Sequence, residues 1–359
     1  MAATSMFTAT SAEAARYRAI LEEKIQEGSR SAVATIERIQ REVPTDRIVG
    51  TRGIDFSAST AGLEILVGED RLRPSNYALG QIAEKAKVPG EYLRSLVAPG
   101  ADPWRHELAA EVLRKHYRNR DAEKMLARSV DGELRGWLSD RYRRLDARPL
   151  LDALVVELER AGAVPYYGTA TDTRVALKAL VPEIVEPVPG EYMVLGLEWG
   201  NSDYGNGPHR LAQFGIRVAC LNGMTRDSVL REIHVGGRLS DNDIRYSQRT
   251  YELDTRASVS ALKDTVRGVL GSGARTKFLD SIRAANEREV TAESLRRTAK
   301  NLPEKTKKAV VDAFTSSDVI NLPAGNTAWR ASNAISWIAK TATGDTRLDL
   351  ERLAGKIVV

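Results

Sequence analysis

The sequence lacks several features on which particular folds and activities depend. It holds one cysteine, Cys220, among 359 residues, which excludes an internal disulfide framework and a cysteine-rich metal cluster. No apolar run approaches the ~20 residues that a membrane helix needs. The first residues lack a basic stretch followed by an apolar one, so no secretory signal is expected. We therefore expect a cytoplasmic protein with no membrane partner.

Motifs for nucleotide, dinucleotide and zinc-protease chemistry are also absent. The chain has no Gly-x-x-x-x-Gly-Lys-Ser/Thr phosphate loop, no glycine-rich dinucleotide fingerprint and no His-Glu-x-x-His. Its histidines are scattered, and none stands at metal-ligand spacing from another. Cys220 lies in an apolar strand context, where a free cysteine behaves as a small hydrophobic residue. We expect no cofactor, no bound metal and no catalytic residue.

The spacing of apolar residues predicts an α+β fold, in which a central antiparallel sheet backed by a helix lies between helical N-terminal and C-terminal parts. We expect a helical region over residues 1–100, the sheet core over 101–240 and a second helical region over 241–359. Asp131-Gly132, between two alternating segments, predicts a hairpin with a primed turn. Further strands are expected at 163–169, 173–181, 192–199, 210–220 and 228–235.

The first helix is expected to run from Ser11 to Glu42 with an interruption at Gly28. It is polar, and its apolar stripe is thin, which favours packing on a neighbouring element or subunit rather than in a core. The sequence therefore predicts that this helix docks on the next subunit of a homo-oligomer.

Two short helices over residues 75–96 have the spacing of a helix-turn-helix. Ala83 would stand at the helix crossing, Val88 would fill the turn, and residues 90–96 would form the recognition helix. Lys87 replaces the usual turn glycine. The alternative interpretation is a helix pair that covers a sheet.

Four aspartates lie at or near the ends of predicted strands, where two-metal nuclease sites can be built. They are Asp140, Asp146, Asp172 and Asp203. Aspartate is also a common turn residue, and three of the four flank predicted turns. A nuclease site and structural turn roles both remain open at this point.

Basic residues interleaved with aromatics are the clearest positive signal. The chain has 53 Lys+Arg against 48 Asp+Glu, a formal net charge of +5, which favours an acidic partner if the cations share one face. The candidate nucleic-acid contacts are Arg128, Arg135, Arg141, Tyr142, Arg143, Arg144, Arg174, Lys178, Tyr204, Arg217, Asn222 and Arg226, with Arg231 and Arg238 following. Arginines would contact phosphates, the two tyrosines would stack on bases, and the Asn222-Gly223 turn would bring backbone N–H groups to a phosphate. The alternative is a solvated sheet face whose arginines pair with Asp140, Glu133 and Glu232.

Three stretches together resemble a family of phage and plasmid proteins that is catalogued as a domain of unknown function. The first is Leu-Ser-Asp-Arg-Tyr-Arg-Arg-Leu-Asp at 138–146. The second joins Asn-Ser-Asp-Tyr-Gly at 201–205 to Arg-Val-Ala-Cys-Leu-Asn-Gly-Met at 217–224, and the third is Trp-Arg-Ala-Ser-Asn-Ala at 329–334. The resemblance spans roughly residues 79–356. It implies a protein of a mobile element in a bacterial host and carries no established catalytic residues.

A basic antiparallel sheet backed by a helix, without a nucleotide site, is also similar in outline to the single-strand annealing proteins of phage recombination. That resemblance implies a protein that binds single-stranded DNA and anneals strands without ATP, as a ring or helical filament. A nuclease or a single-strand binding protein could be its partner. The alternatives are a metal-dependent nuclease and a helix-turn-helix regulator of duplex DNA.

Overall fold

The computed structural model describes residues 8–9, 17–59, 62–119, 121–232, 247–317, 319 and 321–359. This part of the chain is α+β with helical N-terminal and C-terminal parts, as the sequence predicts. Its strands form two six-stranded sheets where the sequence analysis expects one. Among the described residues, no helix is both long and apolar enough to cross a membrane.

The strands are β1 (Thr8–Ala9), β2 (Thr45–Gly50), β3 (Ile54–Ser59), β4 (Gly62–Val67), β5 (Asp70–Pro74), β6 (Lys124–Val130), β7 (Glu133–Ser139), β8 (Val164–Ala170), β9 (Val175–Val188), β10 (Glu191–Asn201), β11 (His209–Arg217) and β12 (Asn222–Glu232). The helices are α1 (Arg18–Arg41), α2 (Asn76–Ala86), α3 (Gly90–Leu96), α4 (Pro103–Arg118), α5 (Ala147–Arg160), α6 (Gln248–Leu270), α7 (Ser272–Glu287), α8 (Ala292–Thr298), α9 (Glu304–Thr315), α10 (Ala328–Ala339) and α11 (Gly344–Val358).

The N-terminal sheet has the strand order β2-β6-β7-β5-β4-β3, and α2, α3 and α4 cover it. Its core includes Phe56, Tyr117 and Trp137, and the indole nitrogen of Trp137 donates a 3.0 Å hydrogen bond to the hydroxyl of Tyr117. The predicted hairpin of β6 and β7 is present. Asp131 and Gly132 both have positive φ, 48° and 81°, as a primed turn requires.

The central sheet has the order β1-β9-β10-β11-β12, and β8 also pairs with β9. Helices cover both of its faces. Leu177 and Trp199 pack with residues of α5 and α6 on one face, whereas Val194 and Phe214 pack with residues of α1 on the other. A separate core joins α7, α9, α10 and α11 to the ends of β9, β10 and β12. The sheet is therefore buried on both faces.

The first helix differs from expectation in two respects. Its buried residues Leu21 and Ile25 lie in the core of its own chain, against β8 and the central sheet, so this face is not free to dock on another subunit. The helix also continues through Gly28 without interruption. A Cβ at Gly28 would lie 1.8 Å from the backbone oxygen of Tyr166, so the glycine permits close packing on β8. The expected start at Ser11 lies outside the described residues.

Candidate nucleic-acid interface

Two of the predicted arginines lie on the β6–β7 hairpin and are almost fully buried. Arg128 is 1% exposed, and its guanidinium donates hydrogen bonds of 2.7 Å to Asp46, to Asp146 and to the backbone oxygen of Asp203. Arg135 is 8% exposed and binds Glu42 and Glu133, at 2.5 and 2.9 Å. Both guanidinium groups are neutralised inside the protein, so their burial is balanced by carboxylates.

Lys178 and Arg217 lie on central strands and are likewise enclosed. Lys178 is fully buried, where it contacts Glu351 and lies 3.6 Å from Glu198. Arg217 is 5% exposed and is held by both carboxylate oxygens of Glu191. A charge within an apolar strand needs a partner or an anionic ligand, and here the partner is internal.

The remaining predicted cations are partly exposed. Arg143 binds Asp254 at 2.6 Å and lies 3.2 Å from Glu232, while Arg144 lies 3.3 Å from Asp46. The other three lie at separate places on the surface. Arg174 pairs with Asp345, and Arg226 donates to Gln213 and stacks over Phe278. Arg141 lines a cavity together with Lys124 and Asp140. The pairs with Glu133 and Glu232 are those that the alternative interpretation expects. The predicted arginines therefore do not form one exposed basic face, and Arg238 lies outside the described residues.

The uncharged candidates have structural contacts as well. Tyr142 and Tyr204 are 7% and 6% exposed, so neither ring offers a face to a base. Tyr142 donates through its hydroxyl to the backbone oxygen of Ser202, which joins the first and second motif stretches. Asn222 is fully buried, and its amide donates a 3.1 Å hydrogen bond to the backbone oxygen of Asn333, which joins the second stretch to the third. The motif residues thus build the interior between β7, β11, β12 and α10.

The structure brings together two of the four candidate aspartates. Asp146 and Asp203 lie beside Arg128, whose guanidinium binds Asp146, whereas Asp172 is exposed and pairs with Arg38. Asp203 Oδ1 accepts hydrogen bonds from the backbone N–H of Ala147, at the start of α5, and from the side-chain amide of Asn201. Within the described part of the chain, no group of three or more His, Cys, Asp or Glu side chains is arranged so that it could hold a metal ion. The geometry assigns Asp203 to the capping of α5.

Replacing Asp203 by asparagine is expected to change how stability depends on pH. Burial, and then the charge of Asp146, raise the pKa of Asp203 to about 7 from an ordinary value of 3.8. Between about pH 4 and pH 7, the folded state therefore holds a proton that the unfolded state releases. The contribution of Asp203 to the free energy of unfolding is full below pH 4 and is lost as the pH rises to 7. Asparagine keeps the accepting oxygen and does not titrate. The difference in free energy of unfolding between Asp203→Asn and the parent should therefore be about 2 kcal/mol more favourable to the variant at pH 8 than at pH 4. This value is discounted because the residue is partly exposed.

Urea unfolding at the two pH values measures this gain as a difference between variant and parent. Asp172→Asn is the matched control because its side chain is 61% exposed. If the Asp203→Asn difference were the same at both pH values, Asp203 would not hold the extra proton.

The helix pair of α2 and α3 has the predicted geometry. Ala83 and Val88 are buried, and Lys87 takes the left-handed conformation, with φ of 55°, that a glycine usually supplies. The pair covers the N-terminal sheet. The outward face of α3 carries Glu91, Tyr92, Arg94 and Ser95, so its formal charge is zero and it gives no electrostatic reason for binding DNA. Reading of duplex sequence stays a prediction.

A basic surface that the sequence analysis does not identify lies between α8 and α9. We call residues 296–308 the basic elbow. Leu295, Ala299 and Val310 are buried in the C-terminal core and fix the two helices, while Thr291 and Ser294 form a capping box at the start of α8. The cations of the elbow are Arg296, Arg297, Lys300, Lys305, Lys307 and Lys308. All but Lys307 belong to exposed residues, so their charges reach the solvent.

The charge of the elbow is concentrated and poorly neutralised. It holds six cations and one carboxylate, Glu304, so its net charge equals the +5 of the whole chain and all other residues sum to zero. Glu304 binds Arg296 and Lys307. Within the described residues, Lys300, Lys305 and Lys308 form no ion pair. The signal for this surface is the local excess of Lys and Arg over residues 296–308, which is visible in the sequence. The candidate residues predicted from the sequence lie mainly on strands and do not include it.

Comparisons of the chain with models of protein families, with curated proteins and with solved structures gave no match. The geometry of the molecule is therefore the basis of the functional proposal.

Proposed function

We propose that the protein binds nucleic acid, single-stranded DNA above all, through phosphate contacts of the basic elbow, and that it anneals complementary strands without ATP. The observation that carries the proposal is the concentration of the entire formal charge excess in residues 296–308, which span the end of α8, the connecting segment and the start of α9. Clustered lysines and arginines that lack internal partners attract phosphates and release counterions on binding. Arg128, Arg135 and Arg217 of the sheets, in contrast, already bind carboxylates.

The preference for single strands has support from two exposed aromatic side chains. Tyr92 and Trp104 are 45% and 55% exposed, and the guanidinium of Arg105 lies 5.5 Å from the centre of the Trp104 ring. Bases that are free of a complementary strand can stack on such rings, at about 1–3 kcal/mol each. Buried Tyr142 and Tyr204 do not offer this surface.

The test is binding of labelled single-stranded and duplex oligonucleotides over a salt series, with the molar mass measured in parallel. Each phosphate contact to a single strand contributes about 0.7 to the slope of log affinity against log salt. Changing Lys300, Lys305 and Lys308 to glutamine should therefore reduce the slope by about 2 and weaken binding about a hundredfold at 0.1 M salt. A ring or filament in the mass measurement is the expected assembly, with strand annealing in the absence of ATP as the second assay.

The control is a second triple variant with the same loss of charge. Lys24, Lys115 and Lys124 lie on α1, α4 and β6, and glutamine at these positions should leave binding within about twofold of the parent. Lys124 lines the same cavity as Arg141, so this variant also tests the surface of the β6–β7 hairpin. If the control lost affinity while the elbow variant kept it, the proposal would be wrong and the hairpin surface would be the interface.

A further inference from the structure

A cavity of about 240 Å³ lies at one end of the central sheet, beside α11. Four arginines from four separate segments line it. Arg174 directly precedes β9, Arg210 lies in β11, Arg231 lies in β12 and Arg352 lies in α11. None of them belongs to the basic elbow, so this cavity is a second cluster of cations that is separate from the proposed nucleic-acid interface.

Two of these arginines are placed so that their charges repel, which lowers the stability of the fold. Arg210 and Arg231 are directly opposite each other in the antiparallel pairing of β11 and β12, and like charges in that position repel. Arg231 is exposed and forms no ion pair among the described residues. Arg210 is 9% exposed, so its charge is largely removed from water. Arg231 therefore carries a charge that Arg210 repels and that no carboxylate among the described residues neutralises, which marks the cavity as a candidate anion site.

Carboxylates near the cavity neutralise the arginines incompletely. Asp345 lies 3.1 Å from Arg174, and Glu198 contacts Arg210 from below the cavity. Glu198 is shared, because Lys178 also lies 3.6 Å from it.

The fourth arginine, Arg352, binds Asp349 at 2.9 Å and lies 3.3 Å from Glu198. Its Nε is buried and donates no hydrogen bond within the described residues. Burial lowers the pKa of Arg352, and the charge of Arg174 acts in the same direction. The cavity therefore presents the charge of Arg231, which forms no ion pair among the described residues, and an unused donor on Arg352.

We propose that this cavity binds a phosphate group, as free phosphate or as a terminal monoester. A planar guanidinium donates two parallel hydrogen bonds to phosphate oxygens, and a dianion would relieve the repulsion between Arg210 and Arg231. A water molecule occupies about 30 Å³ in the liquid, so the cavity has room for a phosphate and part of the group that carries it.

The test uses inorganic phosphate and the full chain. Phosphate should raise the melting temperature above that in chloride of equal ionic strength, and titration calorimetry should show saturable binding. Arg231→Gln should weaken phosphate binding at least about tenfold, as expected for the loss of one charge-assisted contact. Because Arg231 is exposed and forms no ion pair within the described part of the chain, this variant should fold. Arg71→Gln, at a side chain that is 65% exposed on β5, should bind phosphate as the parent does.

Competition identifies the source of the phosphate. If a 5′-phosphorylated oligonucleotide displaces phosphate far better than the same oligonucleotide without it, the site holds a strand end, and equal displacement assigns it to a small phosphate compound. The elbow variant should still bind inorganic phosphate, so the two proposals fail independently. No stabilisation beyond that of chloride, or undiminished phosphate affinity in Arg231→Gln, would overturn this one.

Discussion

Replacing Glu198 by glutamine is expected to destabilise the fold by about 3–5 kcal/mol, the cost of removing one partner from a buried ion pair. Glu198 is fully buried in β10. One carboxylate oxygen accepts a 2.7 Å hydrogen bond from the hydroxyl of Thr225. The charge faces three cations: Lys178 at 3.6 Å, Arg352 at 3.3 Å and Arg210 in direct contact. Glutamine has nearly the same shape, so the loss measures the charge rather than a cavity.

The expected effect is large because Glu198 belongs to a network of buried charged side chains that extends into α11. Lys178 also contacts Glu351 in α11, and Glu351 lies 3.1 Å from Arg347. Burial acts to raise the pKa of Glu351, but Lys178 and Arg347 overcome it and lower the pKa. Without the charge of Glu198, the cations at the sheet end would repel one another in a medium that screens them weakly. Among the described residues, Glu198 and Glu351 are the carboxylates that face Lys178, so the loss of one is not easily replaced.

Urea unfolding of parent and variant measures the loss. Glu27→Gln on α1 is the matched control, because Glu27 is 68% exposed and its pair with Lys24 is worth less than about 1 kcal/mol. Combining Glu198→Gln with Lys178→Met should cost less than the sum of the single changes, since each removes the other's partner. Equal stability of Glu198→Gln and the parent would show that these cations do not depend on this carboxylate.

The sequence predicts the elements whose signal is local. The α+β class, the hairpin at Asp131-Gly132 and the helix pair of α2 and α3 follow from spacing and turn chemistry, and the structure confirms them. Strands β2, β3 and β5 are missing from the sequence analysis because they are short and mostly carry exposed or half-buried side chains, which give a weak alternation. Helix α11 lies within the helical region that is expected over 241–359, but its role in the buried charge network under the central sheet does not follow from the sequence.

The candidate site depends on contacts that are distant in sequence. Arg128 is bound by Asp46, 82 residues away, and Arg135 by Glu42, 93 residues away. The local sequence around an arginine on a strand is the same whether the guanidinium binds a distant carboxylate or a phosphate. The sequence alone therefore could not separate structural arginines from nucleic-acid contacts among the predicted residues. The charge of the basic elbow is local and needs no tertiary structure to count.

Changing Gly355 to alanine is expected to destabilise the fold by at least about 3 kcal/mol, although alanine favours a helix by about 1 kcal/mol over glycine. A Cβ at this position of α11 would lie 2.0 Å from the backbone oxygen of Thr225 and 2.9 Å from the backbone nitrogen of Arg226. Both atoms belong to β12 and cannot move without breaking its pairing. The helix would have to retreat from the sheet, and Glu351 would then separate from Lys178.

Gly268 in α6 is the matched control, since a Cβ there would meet no atom within 4 Å. Gly268→Ala should therefore raise stability by about 0.5–1 kcal/mol, so the same substitution has opposite signs in two helices. Urea unfolding of both variants gives the two values. If Gly355→Ala were as stable as Gly268→Ala, α11 would not lie directly against β12, and neither the buried charge network nor the arginine-lined cavity would be arranged as described. The position of this one helix thus determines both.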